Sequence, residues 1–217
     1  MNPLATYVAA ARQAELTRRS REHVRTVPDR PVKRRPVLHR ALVALLAVAA
    51  AAATQAPPAD AGPIAPSVPE RLQVPDGNKL FLVGHAVGVQ IYSCSTTSGG
   101  YGWTLLAPRA TLYGDNGKPI ATHFAGPTWQ ATDGSKVVGR RVDGVTVDPE
   151  AIPWLLLSAT STSAGPDGAR LAATTYVQRI ATVGGTAPPA ADCDDAAAGT
   201  VVEVPYTADY AFWKAQP

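Results

Sequence analysis

From Lys79 to Tyr206 the chain alternates strand-like runs with turn signals about every ten residues, and no helical period is sustained. That rhythm predicts an all-β domain, an antiparallel β-sandwich or barrel. The first long run, "KLFLVGHAVGVQIYSC", sets His85, Val87, Val89 and Ile91 on one face and Gln90, Tyr92 and Cys94 on the other. Gly84 and Gly88 within it mark a bulge or a close backbone approach. "GWTLLAP" and "RATLYG" follow as two runs, and Asn116-Gly117 is a hairpin signal. "PIATHF", "TWQAT" and "KVVGRRV" are separated by Gly126-Pro127 and by Asp133-Gly134-Ser135. "IPWLLLSAT" is apolar on both faces and is expected as a buried central strand, with Trp154 in the core. "ARLAATTYVQRIAT" and "TVVEVPY" complete the set, and "DYAFWKAQ" is expected to form one terminal helical turn.

The net charge of +3 averages two unlike segments. Residues 1–61 hold ten Arg/Lys against four acids, which leaves ten bases against thirteen acids in the rest. No basic patch remains outside the first segment, which argues against a nucleic-acid partner. The first segment has the form of an export signal: basic "VKRRPVLHR", apolar "ALVALLAVAAAAA", then small-residue cleavage sites near Ala56 or Ala61. The apolar run is too short for a membrane span, so membrane contact is expected only through this signal before cleavage. Arg34-Arg35-Pro36-Val37-Leu38 loosely resembles a twin-arginine signal. Val32 would serve as an alternative start that leaves a leader of conventional length. The expected organisation is a leader over 1–61, an extended Pro-rich arm over 62–78 and one all-β domain over 79–217. The expected location is secreted or extracytoplasmic.

The two cysteines, Cys94 and Cys193, both fall after the leader. Outside the cytoplasm an even count favours one disulfide. It would close a loop of about 100 residues, worth about 4–5 kcal/mol by chain entropy.

Several stretches together resemble a known family: "GVQIYSC", "APRATLYGDNGK", "THFAGPTW", "DGSKVVG", "IPWLLL", "YVQRIATVGGTAP" with Cys193, and "VPYTADYAFW". In that order they are similar to the exported bacterial and fungal proteins grouped as domain of unknown function 3455. The resemblance spans nearly the whole chain after the leader and implies an exported single domain. It implies no activity and no catalytic residues.

Chemistry must therefore be sought in the side chains. His85 and His123 are the histidines after the leader, and with Asp133 or Tyr92 they are candidates for a copper or zinc site. No HxH or HExxH spacing supports one, so neither metal nor cofactor is expected. Ser135, His123 and Asp133 contain the residue types of a hydrolytic triad, yet Asp133-Gly134-Ser135 is more simply a turn, and no G-x-S-x-G elbow occurs. Paired carboxylates for glycoside hydrolysis have little support: Glu70, Glu150 and Glu203 are the only glutamates after the leader, and Asp148 with Glu150 lies in a Pro-containing loop. "VGGTAP" lacks the strand-turn-helix setting of a dinucleotide fingerprint, which excludes a nicotinamide dehydrogenase.

Aromatic residues offer the better case for binding. Trp129, held behind Gly126-Pro127 and close in sequence to His123, is a candidate wall of a pocket, with plain packing as the alternative. The candidate ligand-binding set is His85, Tyr92, His123, Trp129 and Asp133. The expected function is a binding or cell-envelope interaction module for a small molecule, carbohydrate or envelope ligand. The alternative is an extracellular enzyme, metal-assisted or carbohydrate-active, using His85, His123 and Asp133.

Overall fold

The computed structural model describes residues 62–217; the leader, its cleavage sites and Val32 lie outside them. Eight antiparallel strands run β1 (Asn78–Thr97), β2 (Gly100–Tyr113), β3 (Pro119–Phe124), β4 (Thr128–Ala131), β5 (Lys136–Val145), β6 (Trp154–Ser163), β7 (Thr174–Gly184) and β8 (Val201–Ala215). Each pairs with its neighbour in sequence, and β8 returns to β1, so the sheet closes into a barrel rather than a sandwich.

Closure demands that the inward face of every strand fill one shared interior. Small residues make room for large ones across it. β1 sends Gly84, Ala86, Gly88, Gln90 and Tyr92 inward, and β8 sends Tyr206, Ala208, Tyr210 and Phe212. A Cβ on Gly139 would lie 3.0 Å from the Trp129 ring. One on Gly84 would lie 2.9 Å from Leu112. Trp129, Leu112, Tyr210 and Phe212 are each almost wholly buried as a result.

The Gly88 reading holds as a close approach: a Cβ there would meet the Arg109 carbonyl oxygen and Ala110 Cα. Asn116-Gly117 turns as expected, with Gly117 at φ 72° and Gly114 N donating to Lys118 O. The disulfide joins Cys94 to Cys193 with Cα atoms 5.4 Å apart.

Four expectations need correction. "GWTLLAP" and "RATLYG" are one strand, because a bulge opposite Ile91/Tyr92 absorbs Leu106 and keeps the alternation running. Pro108 is tolerated there because that part of β2 has only β1 beside it. "DYAFWKAQ" is not a helical turn. Its Tyr210 and Phe212 alternate inward and extend β8 to Ala215. Trp154 is half-buried rather than core, since Leu155 and Leu157 point inward and Trp154 points out. In β6 burial is confined to the middle, Leu156 and Leu157, and Thr160–Ser163 are exposed.

Leu156 points outward and is buried all the same, because the Pro-rich arm crosses this wall. The arm breaks into a 3-10 turn, Glu70–Leu72, packed on β5 and β6. Leu72 is fully buried there, and Gln178 of β7 donates its side-chain amide to the Leu72 carbonyl at 2.7 Å. Arg71 pairs with Asp143 at 2.7 Å.

The barrel wall is thin between β2 and β5. β2 pairs with β3 only from Ala110 to Tyr113, and β4 pairs with β5 only from Thr128 to Val138. Beyond the β3–β4 turn, Gly100–Arg109 and Arg140–Val145 have no ladder partner on their facing sides among the described residues. Leu105, Leu106, Phe124 and Val142, all exposed, rim this opening.

Candidate functional site

The five residues singled out from the sequence separate into three places. His85 lies on the outer face of β1, its ring nitrogens 2.6 Å from Asp209 and 2.9 Å from Asp115. Asp133 lies in the β4–β5 turn. It accepts from the Ser135 hydroxyl at 2.6 Å, the Ser135 amide and the Arg170 amide. These bonds, the Ser135 hydroxyl first, hold its carboxyl below the usual range. Ser135 is fully buried and also accepts from Leu171 N, so its hydroxyl ties two turns together and meets no histidine. Asp133-Gly134-Ser135 is therefore turn chemistry.

Tyr92, His123 and Trp129 do face one interior. Cross-strand pairing of His123 with Trp129 stacks their rings 4.5 Å apart and 10° from parallel. Tyr210 closes on both rings, at 5.0 Å from His123 and 5.4 Å from Trp129. His123 Nδ1 donates to the Thr128 carbonyl at 2.9 Å. Burial, opposed by that bond and reinforced by Arg179, lowers its pKa to about 4. The ring is thus neutral at physiological pH, with Nε2 its unprotonated nitrogen. His85 and His123 do not converge. His85 is on the outer face, His123 is inside and Asp133 is in a turn, and among the described residues no group of three or more His, Cys, Asp or Glu is placed to hold a metal ion.

Sequence reasoning missed the residue that organises this end of the barrel. Arg179 shares the inward face of β7 with fully buried Val177 and is itself half-buried. Its Nε and Nη2 donate to the Pro153 carbonyl at 3.0 and 2.8 Å. Its charge is felt at Tyr92, His123, Tyr206 and Tyr210. Burial raises the pKa of all three tyrosines, so they are neutral hydroxyls. Tyr92 donates to the Gly185 carbonyl at 2.8 Å, and the Tyr206 and Tyr210 hydroxyls stand 3.3 Å apart. No carboxylate of the described residues pairs with Arg179. Gln90 faces the same interior, with its Cγ 3.2 Å from the place of a Gly185 Cβ; it is 1% exposed, and its Nε2 has no hydrogen-bond partner.

The signal for Arg179 was present in "YVQRI". A charge two places from Val177, within an apolar run, sits on the core side of an alternating strand. Gln90 was placed on the Tyr92 face from sequence, but nothing in the sequence marked its amide as unpaired.

This arrangement supplies donors and neutral hydroxyls against aromatic and aliphatic walls. It lacks a nucleophile paired with a base. No curated protein and no solved structure matches the chain. A family model does match, over residues 75–214 and thus nearly the whole barrel. The chain belongs to the family described as Protein of unknown function (DUF3455).

Proposed function

We propose that this protein is an exported module that binds a small molecule at the Arg179 end of its barrel. The observation that carries the reading is the unpaired donor of buried Gln90, which faces the same barrel interior as an arginine without an acid partner. A buried polar group left unmatched costs about 1–3 kcal/mol, and native proteins keep few of them. A ligand acceptor would repay that cost, and barrel mouths are a common place for such ligands. The reading that the chain is exported draws on the leader-like 1–61 segment and on the disulfide.

Two experiments test the parts separately. Expressed from the full gene, the protein should appear in the medium with its N-terminus between about Ala56 and Gly62. Supernatant protein carrying residues 1–50 intact would overturn export by cleavage. For binding, a fragment set screened by thermal shift should yield compounds that raise the melting temperature by several degrees. Gln90→Leu should lower their affinity at least about tenfold while leaving the free protein as stable or more so, because an unmatched donor is removed. A variant that binds the fragments unchanged, or a screen with no hit, refutes the site.

A further inference from the structure

Resting on that binding reading, we infer that the ligand is a small organic carboxylate, gripped by Arg179 and assisted by Arg141 at the rim. The argument starts from charge. Arg179 spends Nε and Nη2 on one neutral carbonyl, and its remaining partners are neutral tyrosine hydroxyls. A guanidinium carries more N–H donors than these contacts use, in a planar fork that matches a carboxylate. A half-buried cation with no counter-charge favours an anion more strongly than a solvated one does.

Arg141 stands beside it. β5, β6 and β7 align Gly144, Leu155 and Arg179 in one row. Gly144 has no side chain, and the place of its Cβ lies 2.7 Å from both Arg141 Nη2 and Leu155 Cδ2. The Arg141 guanidinium and Leu155 therefore both lie against Gly144, and Leu155 is the direct cross-strand neighbour of Arg179. Arg141 is exposed and forms no ion pair among the described residues, although its charge is felt at Asp143, which Arg71 already pairs. Two cations thus flank one leucine, next to the stretch of β5 that β4 leaves unpaired.

The walls select among anions. Tyr92 pairs with Leu105, and both lie on the inward side at the opening, with Leu155 opposite the arginine. Such surroundings suit an anion with an apolar body. They suit inorganic phosphate poorly, because rings and leucines would strip water from a compact multiply charged ion that has no apolar part to bury. Gln90 Nε2 would donate to a second carboxylate oxygen or to a hydroxyl on the ligand body.

The probes are benzoate, octanoate, benzamide and inorganic phosphate, titrated into the full mature protein at pH 7. Binding is followed through the side-chain N–H resonances of Arg179 and Gln90. Benzoate or octanoate should saturate with shifts at both residues, and benzamide and phosphate should bind at least about tenfold more weakly. Arg179→Gln should weaken the carboxylates at least about tenfold. Should that variant fail to fold, Arg141→Gln, at an exposed position, should still weaken them about threefold and flatten the salt dependence. If benzamide binds as well as benzoate, the charge inference falls while the binding module stands. Phosphate binding in preference to both acids would overturn the carboxylate. If none of the four shifts either residue, this inference falls, and the fragment screen decides the wider reading independently.

Discussion

The imidazole of His123 lies 4.5 Å from the Trp129 ring and 10° from parallel to it, inside the barrel. Burial, with the charge of Arg179, favours an uncharged ring, whereas the unfolded chain takes up a proton at the ordinary histidine pKa. The pKa falls from 6.5 to about 4 on folding, so the unfolded state binds more protons between those values. The stability that neutral His123 contributes is complete above pH 6.5 and lost as the pH falls to 4. The loss amounts to roughly 3 kcal/mol.

Urea unfolding at pH 7.5 and pH 4 should therefore show His123→Phe losing less stability on acidification than wild type, by roughly 3 kcal/mol. At pH 7.5 the variant should be the less stable protein, because the Thr128 carbonyl loses its donor. Equal acid sensitivity in the two proteins would mean that the ring is solvated enough to titrate normally.

Gly88 sits between Tyr206 on β8 and Ala110 on β2 in the two ladders of β1. A methyl group there would lie 2.5 Å from Ala110 Cα, which is backbone and cannot rotate away. Gly88→Ala should thus cost about 3 kcal/mol or more, at the upper end of overpacking effects. Gly117→Ala is the useful contrast, because nothing lies within 4 Å of its Cβ and only its φ of 72° is strained. That change should cost about 1 kcal/mol. Similar losses in thermal melts of the two variants would contradict the close approach.

What could be read in advance follows from the reach of each interaction. Alternation is local, so the strand runs and the Gly-Pro, Asn-Gly and Asp-Gly turns were legible. With two cysteines, both after the leader-like segment, their pairing was legible as well. Whether the sheet closed was not, since closure depends on β8 finding β1 more than 100 residues away. The inner face was also partly hidden by bulges at Ile91/Tyr92, Arg141/Asp143 and Ile180/Val183, each of which resets the parity. Trp154 was misplaced because two apolar faces look alike until an outer layer is known. Arg179 was overlooked because arginine on an inward face contradicts its usual preference.

The bridge between Cys94 and Cys193 closes a separation of 99 residues. Replacing both cysteines with serine should cost about 2–5 kcal/mol. The loss should spread unevenly. Cys94 also exchanges backbone hydrogen bonds with Thr200 and Gly199, both at 2.9 Å, so the end of the loop stays attached to β1. The stretch before Cys193 is held by Trp103 Nε1 donating to Pro189 O at 3.2 Å and should loosen first. Hydrogen exchange should rise around residues 189–193 before it rises at Thr200. Unchanged melting after reduction would show that packing alone holds the loop.

Leu72 ties the arm to the barrel. It is fully buried, although it precedes β1 and belongs to no strand. Its side chain packs over the wall that contains Leu156, and its carbonyl accepts from Gln178, whose Oε1 in turn accepts from Trp213 Nε1 at 2.8 Å. Leu72→Ala removes buried methyl groups at a site that the short 3-10 turn can only partly close, so the cost should be about 2–4 kcal/mol. Gln178→Leu breaks both bonds at once and leaves the Trp213 indole N–H without its partner, which should cost about 1–3 kcal/mol. The two changes share one network, so the double variant should lose less than the sum of the singles. Urea denaturation of the four proteins measures that coupling. Strict additivity, or a loss below about 1 kcal/mol for Leu72→Ala, would show that the arm rests on the barrel without stabilising it.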